Sequence, residues 1–442
     1  MTRRDLLVLS IHGYVGANPE LGKPDTGGQV VFVLELAKQF ADLGYRVELV
    51  TRRFEGQPEF DRLSENLRIW RVAFGGKDFI RKEDMHDHLE EFVRRFLGER
   101  RRPYAAVLSH YWDAGWAGQR IAEELRIPHI HTPHSLGAWK RRGMGGDPDE
   151  AERTFRFEER IRKEFLVYRR CDHLIATTQQ QVELLLSEDY DVPKWQTSMI
   201  PPGIDEGVYT PVPQKTTSTL RRRFGFGPHD VYAVGRAATN KGYDLLIRAL
   251  PYLREAVRDA RLQLAVGAGA GRDKRLIERL RSLAVELNVD QHVGWLGYVP
   301  DPDMADHYRA AAVFALSSRY EPFGMTAVEA MACGTPTVMT VHGGLHDMID
   351  FGVHGLYADP KRPAEFAAVL GLPLRYDRLR QVLAVEGARL ARREFGWGGV
   401  AKRTVAVIER VRDQYENRGP HPTGPNPTRP NPISSGEKDP AG

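Results

Sequence analysis

Short apolar runs alternate with amphipathic helical patterns along most of the 442-residue chain. Residues 6–11 (LLVLSI) form the first apolar run, and a helical pattern over residues 29–43 follows it. A second apolar run, at residues 105–110 (AAVLSH), is likewise followed by a helical pattern, at residues 113–125. Strands that alternate with helices are typical of a parallel sheet covered by helices on both faces.

A second series of the same kind begins near residue 231. Residues 231–236 (VYAVGR) lead into the helical pattern YDLLIRALPYL, and residues 262–267 (LQLAVG) lead into another pattern around residues 276–287. We therefore expect an α/β chain with two Rossmann-like halves, each with its own sheet. The other predicted strands are residues 46–51, 129–132, 173–178 and 197–202, together with VGWLG, VFALSS and TPTVMT in the second half.

Proline and glycine mark the predicted boundaries between these parts. They crowd residues 201–205 (PPGID) and 211–213 (PVP), which is typical of a hinge or linker. The last residues are rich in proline and small polar side chains, which cannot bury a core. The predicted parts are an N-terminal Rossmann-like domain (1–205), a C-terminal Rossmann-like domain (214–396), a helix that packs back on the N-terminal domain (397–418) and a disordered tail (419–442).

Composition and charge are those of a soluble globular protein. The chain is 41% hydrophobic and 28% charged, with a net charge of +4. Its acidic and basic residues are interspersed, which does not favour a nucleic-acid partner. The first apolar run is too short for a secretory signal, and no run approaches the roughly 20 apolar residues of a membrane span. Cys171 and Cys333 lie in apolar stretches, so we expect reduced thiols and a cytoplasmic location.

A glycine pair lies where the first long helix is predicted to begin, in the sequence DTGGQ of residues 25–29. Adjacent glycines at a helix N-terminus let backbone N–H groups approach a phosphate or a sugar, although such a pair is also common in a plain turn. The spacing is neither GxGxxG nor that of a P-loop. A nicotinamide-dependent oxidoreductase is therefore disfavoured, since only the Rossmann-like halves suggest one.

Two cations lie at the end of the strand that opens the second half. Arg236 ends the apolar run and Lys241 precedes the next helix, with Gly235 and Gly242 beside them. Open α/β sheets bind ligands at the carboxyl edge of their strands. A diphosphate there would receive a fork from the arginine and a point charge from the lysine. The alternative is a pair of solvated surface cations.

Two glutamates flank a glycine in the stretch SRYEPFGMTAVEAMA. Glu321 lies in the loop, Gly324 precedes the predicted helix of residues 325–333, and Glu329 lies among apolar residues of that helix. The N–H groups of a first helical turn can hold sugar hydroxyls or a phosphate. A carboxylate in apolar surroundings needs donors, which the two hydroxyls of a ribose would supply. The alternative for Glu329 is an ion pair with a lysine or arginine on the helix face.

The histidines and acidic residues of the sequence do not form a recognised metal-binding motif. His129, His131 and His134 lie close together, but the sequence has no HExxH motif and no cysteine pair, so no metal site is predicted. The sequence DPD at residues 301–303 is similar to a metal-binding DxD motif. Its position in a turn of the second half favours a helix cap instead.

Together these residues resemble the retaining glycosyltransferases of family 4, which have the GT-B fold. The resemblance rests on Arg236, Lys241, Glu321 and Glu329 and on the two Rossmann-like halves. In the first half, DTGGQVVFVLELA, TRRFEGQPEF, SHYWDAG and HTPHSLGAWK are similar to the sucrose-phosphate synthase branch of that family. The resemblance covers roughly residues 6–417.

The resemblance implies a role for each matching position. The catalytic residues would be His134, Arg236, Lys241 and Glu321. The other donor-binding residues would be Gly28, Gln29, Phe323, Gly324, Met325 and Glu329. The acceptor-binding residues would be Lys82, Tyr111, Ser135, Lys140 and Arg160.

The same resemblance implies the partners of the reaction. The donor would be a nucleotide sugar, either GDP-mannose or UDP-glucose, and the acceptor would be fructose 6-phosphate. No cofactor is required, a divalent cation (Mg²⁺ or Mn²⁺) is a candidate activator, and a sugar phosphatase is a candidate downstream partner. The rival hypothesis is a non-catalytic protein that binds nucleotide sugars. The intact Arg236, Lys241, Glu321 and Glu329 disfavour it.

Overall fold

The computed structural model describes residues 4–17, 25–144, 147–267, 272–321 and 323–418. The predicted disordered tail lies outside the described residues. Within the described chain the strands form two separate sheets, one in each half. The expectation of an α/β chain with two Rossmann-like domains is confirmed.

Eight strands of the described chain form the N-terminal sheet: β1 (Asp5–Leu9), β2 (Arg46–Arg53), β3 (Phe60–Arg62), β4 (Leu67–Ala73), β5 (Ala106–His110), β6 (His129–Thr132), β7 (His173–Ala176) and β8 (Thr197–Met199). Their order is β3-β4-β2-β1-β5-β6-β7-β8, and only the β3–β4 pair is antiparallel. The helices of this half are α1 (Gly28–Asp42), α2 (Leu89–Glu99), α3 (Tyr111–Leu125), α4 (Gly137–Met144), α5 (Pro148–Phe155), α6 (Phe157–Arg170) and α7 (Gln179–Leu186).

Six strands of the described chain form the C-terminal sheet: β9 (Asp230–Arg236), β10 (Arg261–Gly267), β11 (Val293–Trp295), β12 (Val313–Leu316), β13 (Thr337–Thr340) and β14 (Leu356–Ala358). Their order is β11-β10-β9-β12-β13-β14, and all pairs are parallel. The remaining helices are α8 (Gln214–Phe224), α9 (Tyr243–Ala256), α10 (Arg272–Glu286), α11 (Asp301–Ala310), α12 (Met325–Ala332), α13 (Pro363–Arg375), α14 (Asp377–Phe395) and α15 (Trp397–Arg418).

The apolar periodicity explains the first two elements. All five residues of β1 are buried, because helices cover both faces of the sheet. On α1 the buried side chains recur every three or four positions, as on a helix with one apolar face. Six of the eight buried residues form this stripe: Val30, Val33, Leu34, Ala37, Phe40 and Ala41; the other two are Phe32 and Leu36. This stripe packs against the sheet and directs the N-terminus of α1 towards the carboxyl ends of the strands.

Two crossing segments join the domains and touch each other. Ile204, in the segment after β8, pairs with Gly396, where the chain returns between α14 and α15. The Ile204 N–H donates to the Phe395 carbonyl at 2.7 Å. Helix α15 then packs on the N-terminal domain, where the Trp397 ring lies 5.4 Å from that of Phe32. The domains are therefore joined by two chain segments that are hydrogen-bonded to each other, and not by a single flexible linker.

The structure also differs from the sequence prediction. Strand β4 was not predicted, since Arg68 and Arg71 interrupt its apolar pattern. Arg71 is buried, and it donates to Asp61 and to the Val15 carbonyl. The prediction that residues 301–303 cap a helix was wrong. They form the first turn of α11, the N-cap is Pro300, and no side chain caps the helix.

Candidate active site

The carboxyl ends of both sheets face a cleft between the domains. Tyr111 follows β5 and His134 lies just after β6, whereas Arg236 ends β9 and Glu321 lies just after β12. Loops at the carboxyl ends of parallel strands are the usual ligand sites of such folds. The fold therefore brings the predicted site residues of both halves to the two sides of one cleft.

The two sides of this cleft are in contact. The ring centroid of Trp139 on α4 lies 4.5 Å from that of Tyr320, which follows β12. On another loop of the cleft, Gly344 lies against Thr178 of the N-terminal domain, and a Cβ on Gly344 would be only 2.4 Å from the Thr178 Cγ2 atom. The cleft is therefore narrow, and glycine at position 344 permits the close approach.

Lys241 and Glu321 form an ion pair on the C-terminal side. The Lys241 Nζ atom donates to the Glu321 Oε2 atom at 2.7 Å. The Ser318 hydroxyl donates to the same oxygen at 3.0 Å, and the Glu321 side chain is nearly buried. The sequence assigned Lys241 to a diphosphate and Glu321 to a sugar. The two charges neutralise each other, so a bound diphosphate would share or replace this contact.

Arg236 lies beside this pair at the exposed end of β9. Among the described residues it has no ion-pair partner. The chain turns after it through residues Thr239–Lys241, which are tied to the neighbouring loop because the Arg319 N–H donates to the Asn240 carbonyl at 2.7 Å. A cation without an internal partner at a strand's carboxyl end is available to an anionic ligand.

The N-terminus of α12 opens on the same side. Gly324 precedes it with φ of +106°, a conformation that strains other residues, and a Cβ there would lie 2.9 Å from Leu316. Phe323 is buried, with its ring 5.6 Å from that of Phe395, and Met325 is the first residue of the helix. The anchored loop leaves the first N–H groups of α12 pointing towards the cleft.

Glu329 lies one turn into α12 and is partly buried. Its Oε2 atom accepts a hydrogen bond from the Tyr308 hydroxyl at 2.8 Å. Burial raises the pKa of the Glu329 carboxyl to about 7. Within the described residues it forms no ion pair with a lysine or arginine, so that alternative is not observed. Burial makes the ionised form of Glu329 unfavourable, and additional hydroxyl donors would stabilise it.

The glycine pair at the start of α1 is open to the cleft. Helix α1 begins at Gly28, and a Cβ on Gly27 or Gly28 would meet no described atom within 4 Å. Gln29 donates weakly to the Ser10 hydroxyl and to the His110 carbonyl, at 3.4 Å each. Packing within the protein therefore does not require these glycines, which leaves their backbone N–H groups accessible to a ligand.

His134 has a constrained backbone and a neutral ring. Its φ is +58°, in the left-handed region that non-glycine residues rarely adopt. Its Nε2 atom lies 3.0 Å from the Nδ1 atom of His110, and Phe32 packs edge-on against its ring. Burial, with lesser contributions from His110 and His12, holds the His134 pKa well below its usual range. A ligand that reached His134 would therefore meet an uncharged imidazole.

Four of the five predicted acceptor residues, all except Ser135, line one small pocket on the N-terminal side, and Ser135 bonds to Arg160. Arg160 donates to the Tyr111 hydroxyl at 3.1 Å and to the Ser135 carbonyl at 2.8 Å. Lys140 lies in the same pocket with its Nζ atom 4.6 Å from the Phe155 ring. Burial, followed by the charges of Arg160 and Lys82, lowers the Lys140 pKa to about 8. Cations held this close together favour an anionic ligand, which would relieve their repulsion.

Lys82 also lines this pocket but already has carboxylate partners. Its side chain and its backbone N–H both contact the Asp25 carboxylate, the latter at 2.9 Å, and Glu83 lies 3.3 Å from its Nζ atom. Burial alone would lower the Lys82 pKa, but Tyr111, Asp25 and Glu83 together raise it. Asp25 lies just before the glycine pair, so Lys82 connects the acceptor pocket to the start of α1.

Sequence reasoning missed Glu164, which holds this pocket together. It is fully buried and accepts from the Arg160 Nε atom at 2.7 Å, from the Tyr190 hydroxyl at 2.6 Å and from the Gly137 N–H at 2.9 Å. A signal was present, because Arg160 and Glu164 are four residues apart and so share one face of α6. Asp25, Glu83 and Phe155 were also missed, and no local pattern indicates them.

The histidines near the cleft are bonded to one another and to Ser109. The Ser109 hydroxyl lies 2.6 Å from the His129 Nε2 atom and 2.8 Å from the His131 Nδ1 atom. Among the described residues there is no group of three or more His, Cys, Asp or Glu side chains that could hold a metal ion. No helix of the described chain is both long and apolar enough to cross a membrane. Both cysteines are buried and unpaired.

Two Rossmann-like domains that meet at a cleft are the architecture of GT-B glycosyltransferases, and two glycosyltransferase family models match the chain. The family described as "Glycosyl transferases group 1" matches residues 219–387. The family described as "Glycosyl transferase 4-like domain" matches residues 27–203. The chain belongs to this family of glycosyltransferases.

Individual relatives narrow the comparison. The mannosylfructose-phosphate synthase of Agrobacterium fabrum is 49% identical over 91% of this chain and 91% of its own length. The D-inositol 3-phosphate glycosyltransferase of Xylanimonas cellulosilytica is 35% identical over 91% of this chain and 96% of its own length. The solved structure of sucrose-phosphate synthase from Thermosynechococcus elongatus matches with a TM-score of 0.80 and 26% identity, over 93% of this chain and all of that one.

Proposed function

We propose that the protein transfers mannose from GDP-mannose to fructose 6-phosphate, releasing GDP and mannosylfructose phosphate. The name of the relative that is 49% identical over most of both chains supports this reaction. The observation that supports a phosphorylated acceptor is the pocket that Lys82, Lys140 and Arg160 line at the cleft. Asp25, Glu83 and Glu164 offset part of the charge of these three cations, but Lys140 has no ion-pair partner among the described residues. The pocket therefore suits a phosphate ester better than a neutral sugar.

On the acceptor side each group has a distinct task. Arg160 is fixed by Glu164 and offers its remaining N–H groups to the phosphate, while Lys140 and Lys82 add charge. The hydroxyls of Tyr111 and Ser135, already bonded to Arg160, would orient the ester and the sugar. The phosphate thus serves as a handle that places one acceptor hydroxyl towards the cleft.

On the donor side the charges face the leaving group. Arg236, Lys241 and the N-terminus of α12 would stabilise the negative charge that grows on the departing diphosphate. The Glu329 carboxylate would accept hydrogen bonds from both ribose hydroxyls, and Glu321 would contact the hexose. His134, from the opposite domain, would contact the hexose near its reacting carbon as a neutral imidazole.

The bond changes balance without a protein nucleophile. The bond between the anomeric carbon and the diphosphate oxygen breaks, and a bond from the acceptor hydroxyl oxygen to the same carbon forms on the same face. The hydroxyl proton passes to the departing phosphate oxygen, and the configuration is retained. The carboxylates near the cleft already have partners, since Glu321 is paired with Lys241 and Glu329 with Tyr308. The role left to the protein is positioning and electrostatic stabilisation.

A donor and acceptor panel tests the proposal. We expect release of GDP from GDP-mannose only when fructose 6-phosphate is present, and little release with unphosphorylated fructose. Faster turnover with UDP-glucose would instead favour a sucrose-phosphate synthase. Nucleotide-sugar binding without turnover would favour a non-catalytic protein. Omitting and adding Mg²⁺ or Mn²⁺ in the same panel tests the candidate activator. A sugar phosphatase that hydrolyses the product remains a proposed partner.

The raised pKa of Glu329 predicts how donor binding depends on pH. The carboxyl is largely protonated at pH 6 in the protein without ligand, whereas two ribose hydroxyls favour the carboxylate. Affinity for a nucleotide sugar should therefore rise about tenfold between pH 6 and pH 8, as a group with a pKa near 7 loses its proton. Calorimetry with GDP-mannose measures this, since a diphosphate diester does not titrate in that range. The Glu329→Gln variant should bind GDP-mannose more weakly, and its affinity should not depend on pH in this range. If the variant shows the same pH dependence as the wild type, the proposed contact between Glu329 and the ribose is wrong.

A further inference from the structure

Tyr320 reaches across the cleft from the donor-binding domain. It follows β12 and directly precedes Glu321, which is paired with Lys241. Its ring packs edge-on against Trp139, with the centroids 4.5 Å apart and the planes at 79°. Trp139 directly precedes Lys140, a residue of the acceptor pocket. One side chain thus connects the donor loop of one domain to the acceptor helix of the other.

The Tyr320 hydroxyl is buried and has no hydrogen-bond partner among the described residues. Burial raises its pKa, and the charges of Arg160, Glu321 and Tyr111 also act on it, so these groups lie within electrostatic range. A buried hydroxyl without a partner costs free energy that a ligand could recover. The other orphaned hydroxyls of the cleft region, such as that of Tyr243, do not lie between the two domains.

We propose that the Tyr320 hydroxyl is a ligand of the sugar-phosphate acceptor, supplied by the domain that binds the donor. This inference rests on the proposed function, because it concerns the acceptor of the same reaction. Arg160 and Tyr111 hold the acceptor from the N-terminal domain, and Tyr320 completes the pocket only when the cleft is closed. Glu321 adjoins Tyr320 and is paired with Lys241, so a nucleotide whose diphosphate engages Lys241 also fixes Tyr320, and the acceptor binds more tightly after the nucleotide.

Tyr320→Phe tests the proposal, since it removes one oxygen and keeps the ring that packs on Trp139. We expect the KM for fructose 6-phosphate to rise about tenfold, as for the loss of a hydrogen bond to a charged group. The affinity for GDP measured without acceptor should stay within about twofold of wild type, because the coupling between the two ligands acts only when both are bound. The matched control is Tyr252→Phe on the exposed face of α9, which should change none of these values.

Calorimetry separates this inference from the proposed function. Fructose 6-phosphate is titrated into wild-type and Tyr320→Phe protein, each with and without GDP. We expect GDP to tighten acceptor binding in wild type and not in the variant. Equal acceptor affinity in both proteins would overturn the role of Tyr320, even if the wild-type enzyme is active. Acceptor binding that depends on Tyr320 but leads to no turnover would contradict the proposed function alone. No acceptor binding by the wild-type protein would overturn both.

Discussion

Lys241→Ala is expected to lower kcat by about 10²–10³-fold while the protein stays folded. In the proposed complex the Lys241 Nζ atom contacts the departing diphosphate oxygen, and its charge stabilises that oxygen most when the oxygen is most negative. Lys241 is also partly exposed, so its removal leaves no cavity in the core. Steady-state assays of nucleoside diphosphate release measure the effect. Equal falls in kcat and kcat/KM would identify an interaction made chiefly in the transition state.

Two further variants make the Lys241 result decisive. Lys241→Arg keeps the positive charge and should recover part of the lost rate, whereas a purely structural role would not depend on charge. Lys215→Ala removes an exposed lysine of α8, away from the cleft, and should leave the rate unchanged. If Lys241→Ala turns over within about fivefold of wild type, the proposed diphosphate contact is wrong.

Glu164→Leu is expected to destabilise the N-terminal domain by about 3–5 kcal/mol, the usual cost of breaking a buried ion pair from one side. The Arg160 and Glu164 side chains are 4% and 0% exposed, so Arg160 would keep its charge with no carboxylate to balance it. The Tyr190 hydroxyl and the Gly137 N–H would also lose their acceptor. Urea denaturation followed by circular dichroism measures the change, and fructose 6-phosphate binding should fall as well.

A double variant separates stability from binding in this pocket. Replacing both members of the pair, with Arg160→Met and Glu164→Leu together, should recover much of the stability, because no unpaired charge remains buried. Acceptor binding should stay lost, since Arg160 itself is absent. Glu386→Leu removes the carboxylate of an exposed pair with Arg389 and should change stability little. A Glu164→Leu protein as stable as wild type would show that the buried pair is not structural.

Much of the fold followed from local patterns. The alternation of apolar runs and helical periodicity was enough to predict two parallel sheets, since period and length are properties of consecutive residues. The same patterns did not predict β4, because Arg68 and Arg71 interrupt the apolar run of a strand that is nonetheless largely buried. Their partners, Glu48 and Asp61, lie in other strands, so no local pattern could show that the two charges were neutralised.

The sequence by itself determined which side chains could do the chemistry. The spacing of Arg236 and Lys241 after a strand, and of Glu321, Gly324 and Glu329 around a helix N-terminus, predicted a donor-binding side. These are short-range relations within one strand–loop–helix unit. The acceptor residues came only from family resemblance, because they are scattered over the first half of the chain.

Only the tertiary structure decided which of these side chains meet. Lys241 and Glu321 are 80 residues apart and form an ion pair. Tyr320 and Trp139 come from different domains, and Lys82 is held by Asp25 on another loop. The physical reason is that contacts between distant segments depend on how two sheets pack and how closely two domains approach. Neither quantity is encoded in any local stretch of residues.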